Sequence, residues 1–176
     1  MLTKTAEEIM IPLYKYPNIP KWFTIRQAIQ LIQNFSIKTG ERESLPRAVL
    51  VTDEDNQVVG MIRRRDILRS LEPHGFFGRH AHHPKIFAEV EPDLNLVEAA
   101  FDHFFNKCLK QADEPIEKYM IPIEHTLNHT DHLMKIIYMI DFTGLSLLPV
   151  VKDNEVIGVV RTVEVLSELA RMLELE

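Results

Sequence analysis

Two segments of the sequence place an arginine three residues before an acid, directly after an apolar run that contains a glycine. They are VVGMIRRRDIL, with Arg63 and Asp66, and VIGVVRTVEVL, with Arg161 and Glu164. A guanidinium binds phosphate or carboxylate oxygens in two parallel bonds, and a carboxylate accepts hydrogen bonds from hydroxyl groups. The triple arginine 63–65 is therefore either a basic patch for nucleic acid or the junction of a strand and a helix beside a ligand site.

The overall charge argues against nucleic acid. The 176 residues carry 20 Lys and Arg against 26 Asp and Glu, a net charge of −6. A nucleic-acid-binding domain usually has a basic surface, so we expect no nucleic-acid partner.

The single cysteine, Cys108, excludes an intramolecular disulfide and favours a reducing, cytoplasmic location. The N-terminus is not a signal peptide, and no apolar run is long enough to predict a membrane span.

The elements around the two segments also occur twice. Each copy has Met-Ile-Pro after a short acidic helix (EEIMIP and IEKYMIP), then an amphipathic helix, TIRQAIQLIQNF or TDHLMKIIYMIDF. Thr24 with Gln27 forms a capping-box pattern, and Thr130 is a plausible N-cap of the second helix. β-Hairpins follow, AVLV with QVVGMI and LLPVV with EVIGVV, and then a closing helix.

This order predicts an α+β protein of two β-α-β-β-α repeats packed as a pseudo-twofold pair. Pro12 and Pro122 are expected to open the first strand of each copy, and YKYPNIPKW and KTGERESLP to be loops. We assign residues 1–72 to repeat 1, 73–92 to a histidine-rich linker, and 93–176 to a linker helix and repeat 2. An apolar stripe predicts that the linker helix runs from about residue 93 to residue 112.

The repeated motifs resemble a stand-alone pair of CBS domains, a Bateman module. The resemblance rests on Met-Ile-Pro at 10–12 and 120–122, on VLVTD and LPVVKD, and on a glycine six residues before an acid in both copies. It covers nearly the whole chain outside the linker. The family implies two clefts between packed sheets, which often bind AMP, ADP, ATP or S-adenosylmethionine as a regulatory ligand.

The resemblance also implies a role for individual residues. The motif acid, Asp66 or Glu164, would accept the ribose hydroxyls, with Glu164 one methylene longer than the usual aspartate. Main-chain groups of the Met-Ile-Pro strands would hold the adenine. The positions at the ligand are then Ile11, Pro12, Gly60, Arg63, Asp66, Ile121, Pro122, Gly158, Arg161 and Glu164. Both glycines have an alternative role in sheet packing, and Asp66 has one at a helix N-terminus.

One departure from the family pattern bears directly on the site. Arg63 and Arg161 occupy the position where the family has Thr or Ser. Two interpretations are open for each arginine. The side chain clamps a ligand phosphate, or it fills the cleft and pairs with an acid, which would make the site vestigial. Arg64 and Arg65 are interpreted as solvated residues at the start of the helix.

Histidines form a second candidate cluster. The linker contains HGFFGRHAHH, whose His80, His82 and His83 suit zinc, nickel or copper, with His74 nearby. The alternative is a polar loop without metal. Three further histidines, at 125, 129 and 132, flank the second amphipathic helix and either line its cleft or are exposed.

The sequence contains no nucleophile triad, paired carboxylate motif or glycine-rich phosphate loop, so we expect no enzymatic activity and no catalytic cofactor. We predict a regulatory module that senses an adenosyl ligand, forms a homodimer and signals to an effector protein in trans. The alternatives are a structural dimerisation module with vestigial clefts and a metal-responsive protein that uses the histidine-rich loop.

Overall fold

The computed structural model describes residues 4–39, 42–71 and 101–174. The histidine-rich segment and the predicted boundaries at 72 and 93 lie outside these ranges. The elements described are, in chain order, α1 Ala6–Ile9, β1 Ile11–Pro12, a 3-10 helix Leu13–Lys15, β2 Asn18–Pro20, α2 Ile25–Asn34, β3 Ile37–Thr39, β4 Arg42–Ser44, β5 Ala48–Thr52, β6 Val58–Arg63, α3 Arg64–Leu71, α4 Phe101–Ala112, a 3-10 helix Ile116–Lys118, β7 Ile121–Pro122, β8 Leu127–Asn128, α5 Leu133–Thr143, β9 Leu147–Lys152, β10 Glu155–Arg161 and α6 Thr162–Met172.

Each copy builds a β-α-β-β-α unit, as predicted. In repeat 1 the unit is β2-α2-β5-β6-α3, and in repeat 2 it is β8-α5-β9-β10-α6. The first strand runs parallel to the second, and the second and third form the predicted antiparallel hairpin. β-Branched residues fill these hairpins, and Asp and Asn form the turns between the strands.

The Met-Ile-Pro segments differ from the prediction. Pro12 and Pro122 end two-residue strands rather than opening the first strand of each repeat. Moreover, β1 pairs with β10 of repeat 2, and β7 pairs with β6 of repeat 1, so each four-stranded sheet contains one strand from the other copy. Because proline lacks an N–H donor, it suits the end of a short edge strand better than the interior of a sheet.

The predicted loops also contain additional strands. β2 lies within YKYPNIPKW, and β3 and β4 form a hairpin that begins at Ile37 and continues into KTGERESLP. Repeat 2 has no element between α5 and β9 that corresponds to this hairpin, since only a few residues connect them. The hairpin contributes Ile37 to the buried layer between the two sheets.

The helix starts are set by local capping. At α2, the Thr24 and Gln27 side chains form the predicted capping box, and Ile25, Ala28 and Ile32 face the core. At α5, the predicted N-cap Thr130 is wrong, because the N-cap is His132. Asn128 instead accepts hydrogen bonds from the Thr130 backbone and hydroxyl, which places Thr130 in the turn before the helix.

Three buried clusters form the interior. One cluster packs α2 and α3 on the repeat 1 sheet, and a second packs α5 and α6 on the repeat 2 sheet. A third lies between the two sheets. The segments that precede each repeat cross to the other one: Ala6 of α1 is buried in the repeat 2 cluster, and Ile116 in the repeat 1 cluster. α4 likewise packs on α3 and α2. None of the helices described is long and apolar enough to cross a membrane.

Candidate ligand-binding site

The junction of β6 and α3 contains a closed pair of charged side chains. Arg63 Nε lies 2.7 Å from Asp66 Oδ2, and Arg63 Nη2 lies 2.9 Å from Asp66 Oδ1. The backbone N–H of Arg63 also donates to Asp66 Oδ2 at 3.0 Å. Asp66 is the third residue of α3, the position where an acid reaches back to the backbone N–H before a helix. The arginine therefore occupies both oxygens of the acid.

Repeat 2 contains the same arrangement. Arg161 Nε lies 2.9 Å from Glu164 Oε2, its Nη2 contacts Oε1, and its backbone N–H donates to Oε2 at 3.2 Å. The longer glutamate therefore makes the same contacts as the aspartate. Of the two interpretations of the arginines, the structure shows the one in which each side chain pairs with the motif acid of its own repeat. Arg64 and Arg65 are exposed at the start of α3, as interpreted from the sequence, and Arg64 Nε donates to the Pro46 carbonyl.

The two pairs differ in their access to solvent. Arg63 keeps 20% of its side-chain surface exposed, whereas Arg161 keeps 8%. Arg161 Nη1 donates to Ser44 Oγ of the β3–β4 hairpin at 3.3 Å. Tyr16, which is 2% exposed, and Ile37 fill the adjoining layer between the sheets. The repeat 2 pair is therefore sealed by repeat 1, and the repeat 1 pair is more open.

Tyr16 is held as a neutral donor within this layer. Its hydroxyl donates to the Ala48 carbonyl at 2.9 Å. Burial raises the pKa of Tyr16 above its ordinary value, an effect that the nearby Arg161 charge opposes and the Glu164 carboxylate reinforces. Tyr16, Ile37 and Ser44 were not predicted as site residues, because Tyr16 and Ser44 lie in segments interpreted as loops and Ile37 lies just before the second of these segments.

The two motif glycines permit close approach of the exchanged strands. A Cβ atom on Gly60 would lie 2.8 Å from the Ile121 carbonyl oxygen, and one on Gly158 would lie 2.6 Å from that of Ile11. The sulfur of Met120 would lie 2.8 Å from the first of these Cβ atoms, and that of Met10 would lie 2.7 Å from the second. Of the two roles predicted for the glycines, the structure provides direct evidence for sheet packing. The Met-Ile-Pro motif of one copy thus contacts the glycine of the other.

A cavity of about 160 Å³ is lined by Met61 of β6, the strand that ends at Arg63. Met61, which lines it, is two residues before Arg63 on β6, so the two side chains lie on the same face of the strand. The remaining lining comes from repeat 2 and comprises Ile121, Pro122, Ile123, Glu124, His125, Thr143 and Leu145. The predicted positions Ile121 and Pro122 are therefore at a cavity.

A wider groove of about 700 Å³ also exists, lined by Met10, Pro12, Leu13, Tyr14 and Ile157 with Glu7, Asn18 and Lys152. Glu7 and Lys152 pair with each other at 3.2 Å. The predicted position Pro12 is in this groove, but neither motif acid nor motif arginine lines it. The motif acids and arginines do not line the smaller cavity either, but it is the better candidate because Met61 in its wall lies two residues before Arg63 on the same face of β6.

The histidines have different surroundings. His125 lines the cavity and contacts the Phe142 ring edge to face, with the ring centres 6.1 Å apart. His129 Nδ1 lies 2.9 Å from Glu7 Oε2. The hydrogen bonds of Glu7 with His129 and with Lys152 keep the pKa of Glu7 below its usual value. The described residues contain no group of three or more His, Cys, Asp and Glu that could hold a metal. His74, His80, His82 and His83 lie outside those residues.

Comparison with known proteins gives a match to the CBS domain family model over residues 23–73. The fold is similar to CBSX2 from Arabidopsis thaliana, with a TM-score of 0.65, 15% identity and coverage of 98% of this chain and 99% of that one. It is also similar to CBSX2 in complex with AMP (TM-score 0.62, 15% identity, coverage 96% and 98%). The fold is similar as well to a putative acetoin utilization protein (AcuB) from Vibrio cholerae, with a TM-score of 0.63, 14% identity and coverage of 99% of this chain and 96% of that one. None of the curated proteins matches the sequence.

Proposed function

We propose that this chain, which has the α+β fold of a CBS-domain pair, is a regulatory module that binds an adenine nucleotide at the Arg63–Asp66 cleft. The main observation behind the proposal is the cavity on the Met61 face of β6, because this strand ends at Arg63, an arginine that retains access to solvent. The AMP complex of CBSX2 supports an adenine nucleotide as the ligand class, because that protein has the same fold. S-adenosylmethionine is the other adenosyl ligand to be tested.

The size of the cavity favours partial enclosure of the ligand. Pockets that enclose a drug-sized ligand usually measure about 300–1,000 Å³. The cavity here is about 160 Å³ and is lined largely by apolar side chains, including Met61 and Ile123. We infer that it holds the base, while the ribose and phosphate extend towards Arg63 and Asp66.

Binding of the ribose requires a change of partners at the charged pair. Asp66 has both oxygens occupied by Arg63, so ribose hydroxyls can bond to the carboxylate only if the guanidinium moves away. A nucleotide phosphate then becomes the new partner of Arg63. The exchange leaves neither charge without a partner. The new hydrogen bonds to charged groups are worth about 1.5–3 kcal/mol each, and therefore offset the loss of the bonds between Arg63 and Asp66. A ligand without phosphate would lack this compensation.

Calorimetric titration with AMP, ADP, ATP, adenosine and S-adenosylmethionine tests the proposal. We expect the phosphorylated ligands to bind most tightly, and Asp66→Asn to weaken their binding about 10- to 100-fold, which corresponds to about 1.4–2.8 kcal/mol. Glu164→Gln is the matched control, because its cleft is sealed by Tyr16 and Ser44. Equal AMP affinity of the parent protein and a folded Asp66→Asn variant would refute the assignment of Asp66.

A second candidate is a structural dimerisation module with vestigial clefts. The observation that favours it is that both motif acids are already paired with arginine. In that case none of the five ligands stabilises the protein against thermal unfolding. The metal-responsive alternative stays a prediction, tested by whether replacing His80, His82 and His83 by alanine abolishes stabilisation by zinc or nickel.

We further propose that the module acts without catalysis and delivers its signal to an effector protein in trans. The partner of Asp66 and Arg63 would differ between the free and ligand-bound forms, so an effector can distinguish the two. Such an effector must bind one form more tightly, since a ligand shifts an equilibrium only by its differential affinity. Affinity purification with and without AMP, using Asp66→Asn as the control, would identify proteins that respond to the ligand.

A further inference from the structure

The groove of about 700 Å³ is separate from the proposed nucleotide site. The described residues that line it and those that line the smaller cavity do not overlap. Two of them, Lys152 and Ile157, lie at the turn end of the β9–β10 hairpin, whereas Arg161 lies at the other end of β10. The groove is therefore at the opposite end of the hairpin from the motif acid, and a ligand there would not compete with a nucleotide in either cleft.

An insertion in repeat 1 builds one wall of the groove. Ile19 follows Ile11 by eight positions, whereas its counterpart Leu127 follows Ile121 by six. The longer connection contains the 3-10 helix Leu13–Lys15, and no helix is present between β7 and β8. Two of the three residues of this 3-10 helix line the groove. The groove is therefore specific to this connection and is not a requirement of the repeat fold.

Apolar side chains form most of the lining of the groove. They are Met10, Pro12, Leu13, Tyr14 and Ile157. Tyr14 is 81% exposed, the largest exposed fraction among the large apolar residues that the structure describes. Lys15 Nζ lies 5.6 Å from the centre of the Tyr14 ring and places a positive charge beside this wall. An exposed aromatic ring next to other apolar side chains favours a ligand with an apolar body.

The charged end of the groove contains a lysine that can accept a further partner. Lys152 Nζ lies 3.2 Å from Glu7 Oε1, and His129 Nδ1 lies 2.9 Å from Glu7 Oε2. Both oxygens of Glu7 are therefore already bonded. An ammonium group has three N–H donors, and within the described ranges Glu7 is the side chain to which Lys152 donates. Since Lys152 is also 42% exposed, it can bind an anion without leaving Glu7.

We propose that the groove binds an amphipathic carboxylate, a small molecule in which a carboxylate is attached to an apolar body. The carboxylate accepts hydrogen bonds from Lys152, and the apolar body packs against Tyr14 and Ile157. The volume of about 700 Å³ lies in the range of about 300–1,000 Å³ that is usual for small-molecule sites. A zwitterion is disfavoured, because its ammonium group would have to compete with His129 and Lys152 for Glu7.

Calorimetric titration with octanoate and decanoate, each below its critical micelle concentration, tests the proposal. Full burial of one methylene group tightens binding about fourfold, so decanoate should bind about tenfold more tightly than octanoate. Octylamine, which is cationic at pH 7, should bind at least about tenfold more weakly than octanoate, because it meets Lys152 with a like charge. Absence of decanoate binding at millimolar concentration would overturn the proposal. Tighter binding of an acetylated apolar tetrapeptide amide, which has no carboxylate, would do the same and indicate a peptide-docking surface.

Variants of the two exposed lining residues locate the site. Lys152→Met keeps an apolar chain but removes the cation, and should weaken decanoate binding about tenfold. Lys118→Met is the matched control, because Lys118 is likewise an exposed lysine paired with a glutamate, Glu114, outside the groove. Tyr14→Ser should also weaken decanoate binding, and its exposure makes loss of the fold an unsuitable explanation. Parental decanoate affinity in a folded Lys152→Met protein would overturn the assignment.

A third comparison separates this site from the nucleotide site. Asp66→Asn should leave decanoate affinity unchanged, and saturating AMP should not displace decanoate, because the two sites share no lining residue within the described ranges. Decanoate binding that persists in a protein without AMP affinity would refute the proposed function alone. Loss of decanoate binding in Asp66→Asn, or its displacement by AMP, would instead place the carboxylate beside Arg63 and overturn the assignment to the groove.

Discussion

A Cβ atom added to Gly60 would lie 2.8 Å from the carbonyl oxygen of Ile121, a residue of the opposite repeat. Real Cβ contacts essentially never reach this distance, and the neighbouring atom is backbone, which cannot move aside easily. Gly158 has the same relationship to Ile11. Each sheet therefore accepts a strand from the other copy only because its third strand has no side chain at this point.

The first prediction is that Gly60→Ala destabilises the fold. We expect it to lower the free energy of unfolding by about 1–3 kcal/mol, as for other overpacked sites, and Gly158→Ala to do the same. Urea unfolding measures the change. Gly144→Asn is the control, because a Cβ there meets nothing within 4 Å, and asparagine tolerates its φ of +63°. A Gly60→Ala protein with the parental midpoint would contradict the role of the close approach.

The strand exchange shows which parts of the fold could be predicted from the sequence. The hairpins and the Thr24 capping box were predicted because their determinants lie within a few residues of one another. Met-Ile-Pro and the glycine were also recognised, but as separate motifs of one copy. In the structure they contact each other between copies. Sequence spacing does not show which of two similar sheets a short strand joins.

The site illustrates a different limit. From the sequence, Arg63 could bind a phosphate or a carboxylate equally well, because the planar fork of a guanidinium forms two parallel hydrogen bonds with either group. The spacing of Arg63 and Asp66 did contain a signal, since an acid three residues after the residue that precedes a helix is positioned to accept a hydrogen bond from the backbone N–H of that residue. No comparable sequence pattern predicted that the repeat 2 cleft, at Arg161 and Glu164, would be sealed. The sealing depends on Tyr16 and Ser44, which are far from Arg161 in sequence.

The second prediction concerns the competition between Arg63 and the ligand for Asp66. Arg63→Thr removes the competitor and introduces the residue type that the family has at this position. Adenosine should then bind about tenfold more tightly, which corresponds to about 1.4 kcal/mol, because its ribose no longer displaces an arginine. AMP should gain less, since it loses the guanidinium partner of its phosphate. Calorimetric titration of both ligands gives the ratio of affinities.

The control for this prediction is Arg161→Thr, which makes the same change in the sealed cleft and should leave both affinities unchanged. An Arg63→Thr protein that is folded by circular dichroism and binds adenosine more weakly than the parent would show that the arginine assists the ribose site. That result would contradict the proposed exchange of partners.

The third prediction concerns acid stability. The side chain of Arg171, together with that of Lys4, lowers the pKa of Glu168 from 4.5 to about 2. Because the pKa is lower in the folded state, this carboxylate stabilises the protein fully above pH 4.5, and the contribution disappears as the pH falls from there towards 2. Glu168→Gln should therefore lose stability near pH 6 and show a shallower decline between pH 4.5 and 3.

Urea unfolding across this pH range measures the decline. Glu155→Gln, at the exposed start of β10, controls for the removal of one negative charge. If Glu168→Gln and the parent protein lose stability in parallel over the whole range, Glu168 does not make the predicted contribution.

The fourth prediction is that each chain binds one nucleotide rather than two. In the repeat 2 cleft, Tyr16 and Ile37 are almost fully buried, and Ser44 bonds to Arg161. The strand registers make Ile19 equivalent to Leu127, so the positions corresponding to Tyr16 and Ile37 on the other side are Glu124 and Leu145, which both line the cavity. The space that the first cleft leaves for a base is therefore filled in the second by side chains of the protein itself.

Calorimetric titration with AMP should give a stoichiometry of one per chain, and Glu164→Gln should retain it. Asp66→Asn should reduce the affinity of this single site without revealing another. Glu164→Gln should still destabilise the protein, because it leaves the buried guanidinium of Arg161 without its charged partner, a change that typically costs about 3–5 kcal/mol. Two equivalents of AMP in the parent protein, with one of them lost in Glu164→Gln, would show that Tyr16 and the hairpin move aside for a ligand.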